Sequence, residues 1–252
     1  MGPSDCSREE WAARQQLAAC YRVFHLIGWT ELIYNHISLR QPDSPRHLLL
    51  NRFGLHYSEV RASNLVKVDL DGRVVDPPGA PVNAAGVAPH CAIHAGVPGA
   101  HCVMHTHTTA GMAVAASRLG LTHDNFYAAQ LGGRVGTHDF EGITVRGDEG
   151  ARLVAAINGA GGSAPKPALV LRNHGLLAWG PSVPEAFMLM WTLQRACDVQ
   201  IASSAAGPLN PIRPEVFAQT VRESGPGEKR TCDDVFAAMQ RIVDAKDPGY
   251  RN

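Results

Sequence analysis

In the stretch Cys102-Val103-Met104-His105-Thr106-His107-Thr108-Thr109-Ala110-Gly111, two histidines alternate at the end of an apolar run. Successive side chains of a strand leave on opposite faces, so His105 and His107 point the same way, a few ångströms apart. Imidazole nitrogens suit zinc, iron, manganese, nickel and copper, and two of them on a rigid strand lose little entropy when an ion arrives. The spacing also describes two ordinary polar residues at a strand end, so the rest of a metal site has to come from elsewhere. His174 stands between the apolar run Ala168-Leu169-Val170-Leu171-Arg172 and Gly175, held in a turn, where it serves as a third nitrogen or as a satisfied turn residue. His90 and His94 are four apart and so share one face of a predicted helix; that spacing fits metal ligation, proton transfer or a polar stripe.

The elements that must position these residues follow from apolar periodicity. Arg8 to Ile27 has helical spacing through Trp11, Leu17, Tyr21 and Phe24, with Gly28 placed to end it. Strands are predicted at 37–40, 47–51 and 65–70, the last closing on the turn Asp71-Gly72 with a return at Val74-Val75. Pro89 opens a helix to Val97, Ala100 to His107 is a strand, and a helix runs from about Thr109 to Leu119. A strand near 142–145, a helix from Asp148 to Ile157, and the hairpin of 168–172 with 176–180 come next. Pro184 then opens a long amphipathic helix to about Ser204. Residues 205–252 are richer in Pro, Gly and charge, with one helix from Thr231 to Asp244 whose first turn carries Asp233 and Asp234. The reading is one domain over 1–252, with 205–252 as a C-terminal extension that packs on a neighbouring subunit.

Composition narrows the class. The chain has 252 residues, 45% of them hydrophobic and 18% charged, as in ordinary globular proteins. The 23 basic and 23 acidic residues cancel, without a dense Lys/Arg patch, which argues against nucleic acid or an anionic membrane and for a small-molecule partner. The N-terminus lacks a basic segment followed by an apolar one, and no apolar run reaches membrane-spanning length, so a cytoplasmic location is expected. Its six cysteines include no CxxC pair and are read as buried free thiols.

Five blocks in order, Tyr34-Asn35-His36-Ile37-Ser38-Leu39-Arg40, Leu65 to Asp69, His90-Cys91-Ala92-Ile93-His94, Val103 to His107, and Leu171 to Leu177, make the chain resemble the class II aldolase/adducin family over roughly residues 10 to 205. The likeness is to its bacterial, adducin-like branch. The resemblance implies a three-layer α/β/α sandwich around a mainly antiparallel, mixed sheet, a homotetramer with active sites at subunit interfaces, and one divalent metal ion per subunit on His105, His107 and His174. Zinc is the first choice, with manganese, iron or cobalt as alternatives. Asn35, Arg52 and Asn83 are the positions to which it assigns substrate contact.

Two departures from the family's sugar-phosphate aldolases matter. Those enzymes carry Ser-Ser-Glu where this chain reads Ala84-Ala85-Gly86. The glutamate serves them as ligand and base, and glycine can be neither, so Gly86→Glu is expected to add a metal ligand. Loss of the serines argues against a phosphorylated sugar, while a guanidinium at Arg52 would grip a carboxylate. Decarboxylation survives without a carboxylate base, because departing carbon dioxide itself generates the carbanion. Retro-aldol cleavage survives if another group takes the hydroxyl proton, the candidates being His94, His90 and Tyr127. The reading is a metal-dependent carbon–carbon lyase on a small hydroxylated or aromatic carboxylate, decarboxylase ahead of aldolase. A non-haem iron oxygenase and a non-enzymatic, adducin-like structural protein are the alternatives.

Overall fold

A computed structural model describes residues 2–143, 148–159, 164–224 and 229–252. Helix α1 (Arg8–Leu26) starts where the Ser7 hydroxyl accepts the Glu10 N–H at 3.0 Å, with Glu9 and Glu10 at the positive end of its dipole. Strands β1 (His36–Arg40), β2 (His47–Leu50), β3 (Val66–Asp69) and β4 (Val74–Asp76) form an antiparallel meander. After helix α2 (Ala84–Gly96), strand β5 (Cys102–Thr106) pairs antiparallel with β1. Helices α3 (Thr109–Ala116) and α4 (Phe126–Gln130), strand β6 (Val135–His138), helix α5 (Glu149–Asn158), and the hairpin β7 (Ala168–Leu171) with β8 (Gly175–Gly180) follow. Helices α6 (Val183–Ser204), α7 (Pro214–Glu223) and α8 (Lys229–Lys246) complete the order.

The eight strands of the described residues form one sheet, ordered β4-β3-β2-β1-β5-β8-β7-β6, antiparallel throughout except for β6 against β7. Alternation along the strands divides the core. Ile37, Leu39, Cys102, Met104, Val170, Leu176 and Ala178 face a layer built from α1, α3, α6 and α8. Val103, Leu169, Leu171 and Leu177 face α2 and α5, and Leu48, Leu50, Val66 and Val68 face the start of α2. This is the α/β/α sandwich the sequence implied. Each large side chain buried there contributes roughly 1.5–3 kcal/mol. The buried Tyr21 hydroxyl ties the layers together next to β1: it receives the Ile37 and Asn51 N–H groups, both at 3.1 Å.

Several boundaries differ from expectation. Helix α2 begins at Ala84 rather than at Pro89, because the Asn83 carbonyl starts the turn by accepting Val87 N–H at 2.8 Å and Val87 and Cys91 are buried against β2 and β3. Packing outweighs the single backbone hydrogen bond that Pro89 cannot make. No strand forms at Gly142 and Ile143, which are in a bend, and 144–145 lie outside the described residues; the sheet-edge strand is β6, without an alternating pattern of its own and held by its parallel ladder to β7. Helix α4, capped by the Asn125 side chain, and α7, with no buried residue, were not anticipated. Helix α8 carries Phe236 and Val243 into the same chain's core, where Phe236 lies 5.6 Å from Phe187. Among the described residues no helix is long and apolar enough to cross a membrane.

Candidate active site

The strand alternation does what its spacing predicted. His105, on β5, and His107, just beyond its end, turn to the α2/α5 side of the sheet, with ring centroids 4.4 Å apart and Nε2 atoms 2.7 Å apart. His174 reaches them from the β7–β8 turn, its ring 4.8 Å from His105 and 4.9 Å from His107. The turn is tight: His174 N–H bonds the Leu171 carbonyl at 3.0 Å and Asn173 takes the left-handed conformation at φ 56°. Gly175 is required next to it, because a Cβ there would run into the Thr106 carbonyl of the neighbouring strand.

The donor set fits a divalent cation. One nitrogen from each of the three histidines lies within 4.8 Å of the others. Nδ1 of His105 meets the Leu176 carbonyl at 2.9 Å, and a carbonyl only accepts, so Nδ1 holds the proton and Nε2 presents its lone pair. Burial pushes all three imidazoles below their ordinary range, His107 to about 4, which keeps them neutral as ligands must be. Asn35 is buried one step behind: its Oδ1 accepts the His107 N–H at 2.9 Å while its amide donates to the Trp29 carbonyl at 2.9 Å.

The triad sits in a cleft of about 520 Å³, a size suited to a small molecule. Asn83, His90, Arg172 and the apolar Met112, Phe140 and Ile143 line it with the histidines. Glu141 and Glu149 also line it, engaged with Arg152 at 2.5 Å and with His138 at 3.4 Å respectively.

The proposed site residues separate accordingly. His105, His107 and His174 come together, and His90 and Asn83 reach the cleft. Asn35 does not line it but orients the His107 backbone. His94 is fully withdrawn: its Nδ1 donates to the Ala100 carbonyl at 2.7 Å and its Nε2 faces the Ser38 hydroxyl at 2.7 Å. Tyr127 packs at 5.5 Å from Trp191 with Arg195 over its ring, on the opposite helical layer and outside the cleft of its own chain. Arg52, beyond the end of β2, is exposed and outside the cleft; Arg172 is the guanidinium that lines it. His36 was quoted without a role, yet it stands directly opposite His105 in the β1–β5 register, ring centroids 4.8 Å apart. The polar-apolar alternation His36-Ile37-Ser38-Leu39-Arg40 was the signal, and which strand lay beside it was the missing fact.

The α/β/α sandwich that carries this three-histidine cluster at one end of its central strands is shared with known proteins. The profile described as class II aldolase and adducin N-terminal domain matches residues 15–201, and the chain belongs to that family. The crystal structure of an aldolase II superfamily protein from Pseudomonas syringae superposes with TM-score 0.91 at 40% identity, covering 99% of this chain and 98% of that one. L-fuculose 1-phosphate aldolase from Glaciozyma antarctica gives TM-score 0.82 at 27% identity over 97% and 93% of the two chains. Alpha-adducin of Rattus norvegicus is 43% identical over 94% of this chain, which corresponds to 33% of that protein.

Proposed function

We propose that the protein is a divalent-metal-dependent carbon–carbon lyase for a small hydroxylated or aromatic carboxylate. The observation that carries this reading is the triad itself, three neutral imidazoles converging at the base of a cleft whose walls combine Met112, Phe140 and Ile143 with the Arg172 guanidinium. His105, His107 and His174 would hold the ion, which when bound supplies Lewis acidity toward a carbonyl, phenolate or hydroxyl oxygen. Arg172 offers a fork for a carboxylate in place of Arg52. The apolar wall removes water from the reacting end, where charge interactions then count for more.

Decarboxylation stands ahead of aldol cleavage because position 86 is glycine, so the base of the sugar-phosphate aldolases is absent and carbon dioxide loss does not need it. The serines that precede that base are likewise alanines, which disfavours a phosphate group. Aldol cleavage is the second reading, supported by the likeness to L-fuculose 1-phosphate aldolase. Of the three proton-transfer candidates His90 is the one that lines the cleft, while His94 and the same chain's Tyr127 are withdrawn from it. Metal analysis of anaerobically purified protein tests the proposal: about one ion per chain, lost in His105→Ala, supports it. Zinc or manganese directs assays to carboxylates. Iron with oxygen uptake replaces the lyase by an oxygenase, and a metal-free protein overturns the enzymatic reading in favour of a structural one. Assembly into a homo-oligomer belongs to the same proposal.

A further inference from the structure

Behind the triad a line of buried polar groups runs from β1 into α2. His36 Nδ1 lies 2.8 Å from His90 Nε2, His90 Nδ1 lies 2.6 Å from the Ser38 hydroxyl, and the same hydroxyl lies 2.7 Å from His94 Nε2. The line ends where His94 Nδ1 meets the Ala100 carbonyl at 2.7 Å.

That carbonyl sets the direction of every bond. It only accepts, so His94 Nδ1 carries a proton, and in the neutral ring Nε2 is then an acceptor. Ser38 has one hydroxyl proton and must give it to His94, since two facing lone pairs at 2.7 Å would repel. The Ser38 oxygen is left to accept from His90 Nδ1, which makes His90 Nε2 an acceptor in turn. His36 Nδ1 must therefore donate, and its lone pair is on Nε2. Burial keeps the two relay rings neutral, holding His94 near about 3 and His90 well below the usual histidine range.

The Cδ2–Nε2 edge of His36 lies beside Gly86: a Cβ built on that glycine would stand 2.6 Å from Cδ2 and 2.8 Å from Nε2. His36 and Gly86 both line the cleft, and among the described residues none hydrogen-bonds this nitrogen. The ring thus fills the space in which the family's sugar-phosphate aldolases carry the glutamate side chain.

We propose that His36 is the group that receives a substrate hydroxyl at this position, and that His90, Ser38 and His94 are positioning residues that hold it in the tautomer with a bare Nε2. The proposal rests on the lyase reading for its substrate class, but the tautomer does not. It makes this site selective for a ligand with a hydroxyl donor close to its metal-binding oxygen, as in a 2-hydroxy acid, over the same acid without it.

Long-range 1H–15N correlation spectra of the full-length protein labelled at histidine nitrogen read the tautomer directly, with His36→Asn identifying the His36 signals. The expected result is a proton on Nδ1 and none on Nε2, with Ser38→Ala mixing the two tautomers while zinc content stays unchanged. A proton on Nε2 in the wild type, or a tautomer indifferent to Ser38→Ala, overturns the proposal. With the zinc-loaded protein, glycolate and acetate serve as probes. His36→Phe keeps a ring in that space but has no acceptor, and it should cut the glycolate preference about five- to tenfold with acetate binding unchanged. An unaltered preference refutes the contact. A protein that binds neither acid refutes the carboxylate reading of the cleft and leaves the tautomer spectrum to decide the relay.

Discussion

Adding one methyl group at position 86 tests whether His36 occupies the place of the missing glutamate. A Cβ on Gly86 would lie 2.6 Å from Cδ2 and 2.8 Å from Nε2 of His36, well inside van der Waals contact. The ring cannot back away easily, being bonded to His90 at 2.8 Å and set against His105 at 4.8 Å between ring centroids. Overpacking of this kind costs about 1–3 kcal/mol. Replacing a helical glycine by alanine offsets up to about 1 kcal/mol of that, and less this close to the start of α2. Gly86→Ala should therefore destabilise the metal-free protein by about 1–2 kcal/mol. In a His36→Ala background the same change should be neutral or stabilising, giving a coupling of about 1–3 kcal/mol. Urea denaturation of the four proteins measures the cycle. Equal effects of Gly86→Ala in both backgrounds would refute the steric argument. The same geometry revises the expectation for Gly86→Glu: the new carboxylate reaches the histidines only if His36 is made small as well.

Two other consequences can be measured on the same protein. His94 keeps its neutral form down to about pH 3 when folded, against an ordinary value of 6.5, because it is buried. Below about pH 6.5 the unfolded chain binds a proton that the folded one refuses, so stability should fall on acidification by up to about 1.4 kcal/mol per pH unit from this residue alone. Urea midpoints of metal-free protein that stay flat between about pH 7 and about pH 5 would contradict this. Asn35→Ala removes the acceptor of the His107 N–H and should weaken zinc binding about 10- to 100-fold, read by competition with a chelator. Wild-type affinity would deny Asn35 its orienting role.

The sequence by itself determined what is local. The period of two along β5 put His105 and His107 on one face, and the apolar run before Asn173-His174-Gly175 marked a turn that holds its histidine still. Helix α1, from Arg8 to its stop before Gly28, and the hairpin of β7 with β8 were legible for the same reason: apolar periodicity, alternation and turn chemistry act over a few residues. Family blocks added the fold and named His174 as the third histidine, as a resemblance.

Only the tertiary structure decided which elements lie side by side. The order β1-β5-β8 sets His36 opposite His105 and brings the His174 turn to the same end of the sheet, and neither fact has a signature in any one segment. His90 and His94 read alike on a helical face, yet packing against β1 leaves one at the cleft wall and locks the other between Ser38 and the Ala100 carbonyl. Pro89 reads as a helix start, but burial of Val87 and Cys91 carries the helix five residues further back and so fixes where Gly86 meets His36. Short-range rules decide what a segment can be, whereas strand order and close packing, which couple residues far apart in the chain, decide which of its side chains meet the substrate.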